Sequence, residues 1–240
     1  MPIEIFMRPE FDLVTQAGAY WMGVVMQEAL KRGYIIDDLS SWEATLAQLE
    51  GAFTIIRAGD RTLFYGVGHG SERVYTGQHR DPVLALENAG LMQGTIVHLM
   101  SCRTGVELGP ALIQAGALAY AGYTYDLYVL LGIDTRPEAI YTEAFLAPDI
   151  TFALAVLEGK TLAAAYQAAV QKTEAWIEYF REGDDPNADL MILCLLSNRD
   201  HFLVLDQTGQ VSAPAGIGAG ALLLLAGVAS VALLWSKRNK

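Results

Sequence analysis

The segment TIVHLMSCRTG, Thr95 to Gly105, runs from a continuous apolar stretch into a Ser-Cys pair and then a glycine. An unbroken apolar run of this length is expected of a parallel strand buried on both faces. LFYGVGHGSE, Leu63 to Glu72, has the same grammar, with its apolar run ending in Gly68-His69-Gly70. Two adjacent parallel strands would bring His69 and Cys102 to the same carboxyl edge of a sheet. Open α/β sheets bind their ligands at that edge. The two glycines around His69 are expected to let the chain turn sharply and leave the imidazole accessible.

The flanking sequence fits an alternation of strands and helices. Pro2 to Met7 reads as a first strand, and Leu13 to Arg32 as a helix stopped by Lys31-Arg32-Gly33. Ser40-Ser41-Trp42-Glu43 resembles a capping box ahead of a short helix to about Leu49. Ala52 to Ala58 and Arg61 to Val67 read as strands joined at Gly59-Asp60. Asp81-Pro82 is expected to open a helix through Asn88, Gly105 to Ala115 forms another, and Ala117 to Tyr123 is a small-residue strand. Pro137 to Glu182 is helical with breaks near Pro148 and at Gly159-Lys160. Leu190 to Leu196 and Phe202 to Asp206 suggest a terminal hairpin around Ser197 to Asp200. The economical fold is α/β, with a mainly parallel sheet covered on both faces.

The 240 residues are 52% hydrophobic and only 18% charged, and the formal net charge is −11. With no basic stripe to neutralise phosphates, nucleic-acid binding is not expected. Much of the excess apolarity lies in Ala213 to Trp235, APAGIGAGALLLLAGVASVALLW, followed by the basic tail Ser236 to Lys240. As a helix this run spans roughly 34 Å, enough for a hydrocarbon core of about 30 Å. Trp235 and the basic residues beyond it suit an interface. The expected organisation is a domain over 1–206, a linker over 207–212, a transmembrane helix over 213–235 and a basic tail over 236–240. The basic tail alone argues for a cytoplasmic C-terminus, with the domain outside. MPIEIFMRPEFD, however, has neither the basic nor the apolar region of a signal peptide. The expectation adopted is a single-pass C-terminal anchor with the domain in the cytoplasm. The two cysteines, Cys102 and Cys194, form no CxxC pair and read as thiols of a reducing compartment.

A thiol is a weak nucleophile until deprotonated, and a nearby imidazole or a helix N-terminus favours the thiolate. Cys102 is therefore the candidate nucleophile and His69 the candidate base. Backbone amides near Gly70 and Cys102 are candidate donors to the oxyanion of a tetrahedral intermediate. His98 shares the strand with Cys102 and is expected to be a satisfied core histidine. His79 reads as loop surface, His201 as the region of the hairpin tip, and Cys194 as inert core within a strand. No Cys/His cluster has zinc spacing. Asp184 to Asp189 lacks the glycine and final glutamate of a calcium loop, so no metal or cofactor is expected.

The two strand-end motifs together, Gly68-His69-Gly70 and then Leu99 to Gly105, resemble the caspase-like cysteine peptidases. The cysteine segment is most similar to the CHAT and gingipain style, in which a hydrophobic strand ends in Ser-Ala-Cys or a similar triplet before Thr-Gly. Ala115-Gly116-Ala117 through Gly122 resembles the strand after the catalytic helix, and Leu157 to Ala165 resembles a helix of CHAT domains. The tryptophan common after that strand in CHAT domains is absent, and Tyr123-Thr124-Tyr125-Asp126 stands in its place. The resemblance covers about residues 1–206. It implies a three-layer α/β/α sandwich in which His69 is the base, Cys102 the nucleophile, and Gly70 and Cys102 the oxyanion-hole amides. Many members of that clan cut after Arg or Lys using an acidic pocket residue, which makes Asp126 and Glu72 weak substrate-binding candidates. The activity implied is a membrane-anchored cysteine endopeptidase acting on a protein or peptide partner, with a separate activating protein as a further partner. Two alternatives stay open: a non-catalytic regulatory or scaffold module at the membrane, and a transpeptidase that passes its thioester to an amine.

Overall fold

A computed structural model describes residues 2–55, 62–131, 136 and 138–212 of the chain. Among the described residues there are nine strands and six α-helices. In order they are β1 (Ile3–Arg8), α1 (Leu13–Lys31), β2 (Ile35–Ser40), α2 (Leu46–Ile55), β3 (Thr62–Val67), β4 (Val74–Thr76), β5 (Pro82–Ala85), β6 (Thr95–Met100), α3 (Leu108–Gln114), β7 (Ala119–Tyr123), α4 (Ile140–Leu157), α5 (Leu162–Glu182), α6 (Ala188–His201), β8 (Phe202–Asp206) and β9 (Gly209–Ser212). The main sheet has the order β2-β1-β3-β6-β7-β8-β9. The first five of these neighbours run parallel, while β8 and β9 add on antiparallel. The expected α/β class and mainly parallel sheet are therefore present.

Strands β3 and β6 sit centrally and are apolar on both faces, as their sequences require. On one face Phe6, Tyr65, Val67 and Met100 pack against α1, α4 and α5. On the other, Ile5, Phe64, Val97 and Leu99 pack against α2 and α3. Helix α4 has the length and apolarity of a membrane span, but 72% of that window is buried within the fold. The transmembrane segment expected at 213–235 lies outside the described residues.

Several local expectations are corrected. Residues 52–55, expected in a strand, continue helix α2, with Leu49 and Ala52 buried one turn apart. The rest of that run and the turn at Gly59-Asp60 lie outside the described residues. Ser40 makes no side-chain cap, and α2 starts later, at Leu46. Pro82 opens no helix: Pro82–Ala85 pairs with Val74–Thr76 in a small antiparallel ribbon, and a 3₁₀ segment follows over Leu86–Met92. The Asn88 side chain accepts from Ala85 N and donates to Val83 O, a local bonding pattern that competes with an α-helix. Pro148 lies inside α4 without ending it. A mid-helix proline costs about 3 kcal/mol. Burial of Phe145, Leu146, Ile150, Phe152 and Val156 on the same helix offsets that cost.

Residues 190–196 are helical, not a strand. The buried positions of that helix are Met191, Cys194, Leu195, Ser197 and Asn198, and Met191, Cys194, Leu195 and Asn198 among them follow the helix period that a short apolar run conceals. Cys194 is thus inert core on a helix, its thiol pushed up to about 11 by burial. His201 ends that helix rather than sitting at a hairpin tip, and its Nδ1 lies 3.1 Å from Thr124 Oγ1. Gly209–Ser212, within the expected linker, folds back as the last strand of the sheet.

One strand residue breaks the apolar rule. Glu4 in β1 is fully buried, and neither carboxyl oxygen has a hydrogen-bond partner among the described residues. Burial pushes its pKa up from 4.5 to about 8, so the folded protein holds it protonated at neutral pH. The unfolded chain releases this proton near 4.5 and the folded chain only near 8. Stability from this group is full below the lower value and is lost as pH rises through the window. Glu4→Gln is expected to abolish that loss, raising stability at pH 8 by on the order of 3–5 kcal/mol while changing little at pH 4. Urea unfolding of both proteins at the two pH values checks it.

Candidate active site

The register of β3 against β6 sets Val67 opposite Met100, so both chains leave the sheet at the same edge. Gly68 N continues the ladder by donating to Met100 O at 3.3 Å. A Cβ built on Gly70 would fall 2.1 Å from Ser101 Oγ and 2.8 Å from the Cys102 carbonyl oxygen. One built on Gly68 would fall 2.3 Å from the Thr76 carbonyl oxygen. Neither glycine has a positive φ. Close approach, rather than the sharp turn expected from the sequence, is what excludes a side chain here. Gly70→Ala must displace the Ser101 hydroxyl and also push back the Cys102 carbonyl, which is backbone and cannot simply rotate away. The expected cost is about 1–3 kcal/mol of stability. Cys102 alkylation should slow by about tenfold or more, as a misplaced site requires. Denaturant unfolding and timed thiol labelling measure the two effects.

The imidazole is held from a third direction. Asp12 is the N-cap of α1, and its Oδ1 accepts from Thr15 N at 2.9 Å while Thr15 Oγ1 accepts from Asp12 N. Its other oxygen, Oδ2, lies 2.6 Å from His69 Nε2. Partial burial pulls the Asp12 carboxyl upward, but hydrogen bonds from the Thr15 amide, His69 and the Thr15 hydroxyl outweigh it and hold the pKa below 3.8. An ionised carboxylate only accepts, so Nε2 carries a proton in this contact and Nδ1 is the ring nitrogen left for other partners. The Phe11 ring lies 5.7 Å from the imidazole, centroid to centroid.

Cys102 follows the end of β6, and its half-buried thiol points toward the Leu127 carbonyl oxygen at 4.0 Å. Burial raises its pKa above 9.0 and nearby Asp126 adds to this, against the opposing effects of the Leu127 contact and Arg103. The resting group is a thiol, not a thiolate. The helix N-terminus expected to assist it is not adjacent, because α3 begins only at Leu108. The loop between is pinned instead by Arg103 N to Tyr125 O, Gly105 N to Tyr123 O, and the Tyr120 hydroxyl donating to Thr104 Oγ1. Arg103 takes a left-handed φ of 59°, an uncommon conformation for a side-chain-bearing residue.

His69, Ser101, Cys102 and Thr15 line one cavity of about 150 Å³ at this edge. The backbone amides of Gly70 and Cys102 donate to no other backbone group among the described residues. The Ser101 hydroxyl is buried without a partner among them. The two acidic candidates lie elsewhere. Asp126 is clasped by Arg103, Nε to Oδ1 at 2.7 Å and Nη2 to Oδ2 at 2.9 Å. Glu72 is exposed, and it is its backbone carbonyl that is engaged, by the amides of Glu107 and Leu108 at the start of α3. Neither residue lines the cavity.

A second buried assembly lies beneath the site. His98 Nε2 is 2.8 Å from Asp149 Oδ1, and the Tyr123 hydroxyl donates to Asp149 Oδ2 at 2.5 Å. His98 is therefore satisfied at one nitrogen, as expected of a core histidine, while Nδ1 has no partner among the described residues. Sequence reasoning missed both Asp12 and Asp149. The Asp12-x-x-Thr15 pattern ahead of the first helix was the available signal for Asp12.

No family model matches this chain, and a search of curated proteins finds no significant match.

Proposed function

We propose that this chain is a caspase-like cysteine endopeptidase that hydrolyses peptide bonds of a protein partner and is tethered to a membrane by residues 213–235. The observation that carries the reading is the shared cavity at the carboxyl edge of β3 and β6. There a carboxylate-held imidazole and a thiol line the same space. The motif resemblance and the sheet order support it. The anchor rests on the unbroken apolar run and the basic residues after it.

In this mechanism His69 Nδ1 takes the proton from Cys102 Sγ as sulfur attacks the scissile carbonyl carbon. The raised thiol pKa makes this transfer part of the reaction rather than a pre-formed ion pair. The Gly70 and Cys102 amides donate to the oxyanion, and Asp12 stabilises the imidazolium that forms. The C–N bond breaks as His69 returns the proton to the leaving amine, leaving a thioester on Cys102. Water, deprotonated by His69, then releases the acid. An amine in place of water would make the same site a transpeptidase.

Purified full-length protein in detergent, incubated with a fluorogenic peptide library, tests the reading against Cys102→Ala and His69→Ala. Cleavage should fall by about 10³-fold or more in both, since members of a catalytic unit fail together. Undiminished cleavage by Cys102→Ala would overturn it. The burial-raised thiol favours one second reading, a non-catalytic module that holds a partner at the membrane. A folded wild type that cleaves nothing, with Cys102 inert to alkylation, would select that module.

A further inference from the structure

We infer that the cavity beside Cys102 receives an uncharged apolar side chain of leucine to phenylalanine size from the residue preceding the scissile bond. This rests on the peptidase reading above and assigns its substrate class.

The walls carry the argument. Val14 of α1, Val67 of β3, Met100 of β6, Leu127 and Val129 after β7, and Leu146 of α4 converge on the space next to the thiol. Among the described residues, no Asp, Glu, Lys or Arg lines it. The nearby acids are committed: Asp12 to His69 and Thr15, and Asp126 to a two-pronged contact with Arg103. A charged substrate side chain entering here would lose its water and find no uncommitted counter-charge among the described walls, which is costly. Of the polar wall groups, the imidazole and thiol are the reacting pair, the Thr15 hydroxyl already bonds Asp12, and the Ser101 hydroxyl is a single neutral group. Size narrows the choice further. The cavity measures about 150 Å³, and an apolar cavity of about that volume accepts a benzene-sized guest. A phenylalanine ring or a leucine side chain fills it, whereas alanine leaves most of it empty and forfeits the contacts. The clan expectation of a cut after a basic residue, read by Asp126 or Glu72, has no support in these walls.

The test uses the full-length chain in detergent and peptidyl acyloxymethyl ketones that differ only in the residue next to the reactive group: Phe, Leu, Ala, Arg or Asp. Mass spectrometry follows alkylation of Cys102, each rate being divided by that of iodoacetamide on the same protein. Val14→Trp, at a position already 36% exposed on the first turn of α1, narrows the cavity. The Phe and Leu probes should react at least about tenfold faster than the other three, and Val14→Trp should erase the advantage of Phe. Fastest reaction with Arg or Asp would overturn the pocket while leaving the peptidase reading standing. Equal rates for all five probes would do the same. Alkylation by iodoacetamide alone, or no reaction with any reagent, would overturn both.

Discussion

Asp12→Asn is expected to lower peptide hydrolysis by about 10²- to 10⁴-fold with little change in stability. Asparagine caps a helix as well as aspartate does, so the start of α1 should survive. What is lost is the acceptor 2.6 Å from His69 Nε2. An amide in its place can present N–H to the ring, which favours the wrong tautomer and leaves the imidazolium unstabilised. The loss should appear in kcat rather than KM, because Asp12 acts through His69 and does not line the substrate cavity. The pH profile gives a second readout. The folded-state pKa of Asp12 is depressed, so its contribution is present above the ordinary carboxylate range and is lost only as pH falls through the depressed value. The wild type should therefore keep this orienting contact through mildly acidic pH. A variant with unchanged kcat would remove Asp12 from the mechanism.

Asp149→Ala should give the largest loss of stability, about 3–5 kcal/mol, because it strips one partner from a buried pair. The His98 and Asp149 side chains are 1% and 0% exposed. Tyr123 donates to the second oxygen of the same carboxylate, so two buried donors lose their acceptor together. Asp149→Asn keeps one oxygen and should cost distinctly less. Equilibrium urea unfolding of the three proteins orders them, and an alanine variant as stable as wild type would refute the linkage. Because β6 carries both His98 and the approach to Cys102, the same variant should also loosen the site edge.

The parallel centre of the fold was legible because strands buried on both faces must be continuously apolar, and Thr62–Val67 and Thr95–Met100 are. The same rule places His69 and Cys102 at one edge of the sheet from the sequence alone. It fails on LMILCLL within α6, where a short apolar run fits strand and helix alike until its neighbours define which side is buried. Pro148 misled for a related reason: local propensity predicts a break, but α4 is packed on most sides and stays helical. The flanking acids misled differently. Asp126 and Glu72 lie near the motifs in sequence, yet one is spent on Arg103 and the other faces solvent. Asp12 lies 57 residues before His69, and Asp149 lies 51 after His98. Such partners come from the crossing of elements, which a single strand-end motif does not encode. Asp149 nevertheless left a trace, as one of only two acids in an otherwise apolar helix.

The central claim is that Cys102, with His69 as its base, forms a covalent thioester with substrate. The most direct measurement mixes full-length protein with a p-nitrophenyl ester of a short peptide ending in phenylalanine, quenches in acid within the first turnover, and maps the acyl group by mass spectrometry. The account predicts a burst of nitrophenol with the acyl group on Cys102, absent in Cys102→Ala and slowed in His69→Ala. An acyl group on any other residue, or a burst that survives Cys102→Ala, would contradict it.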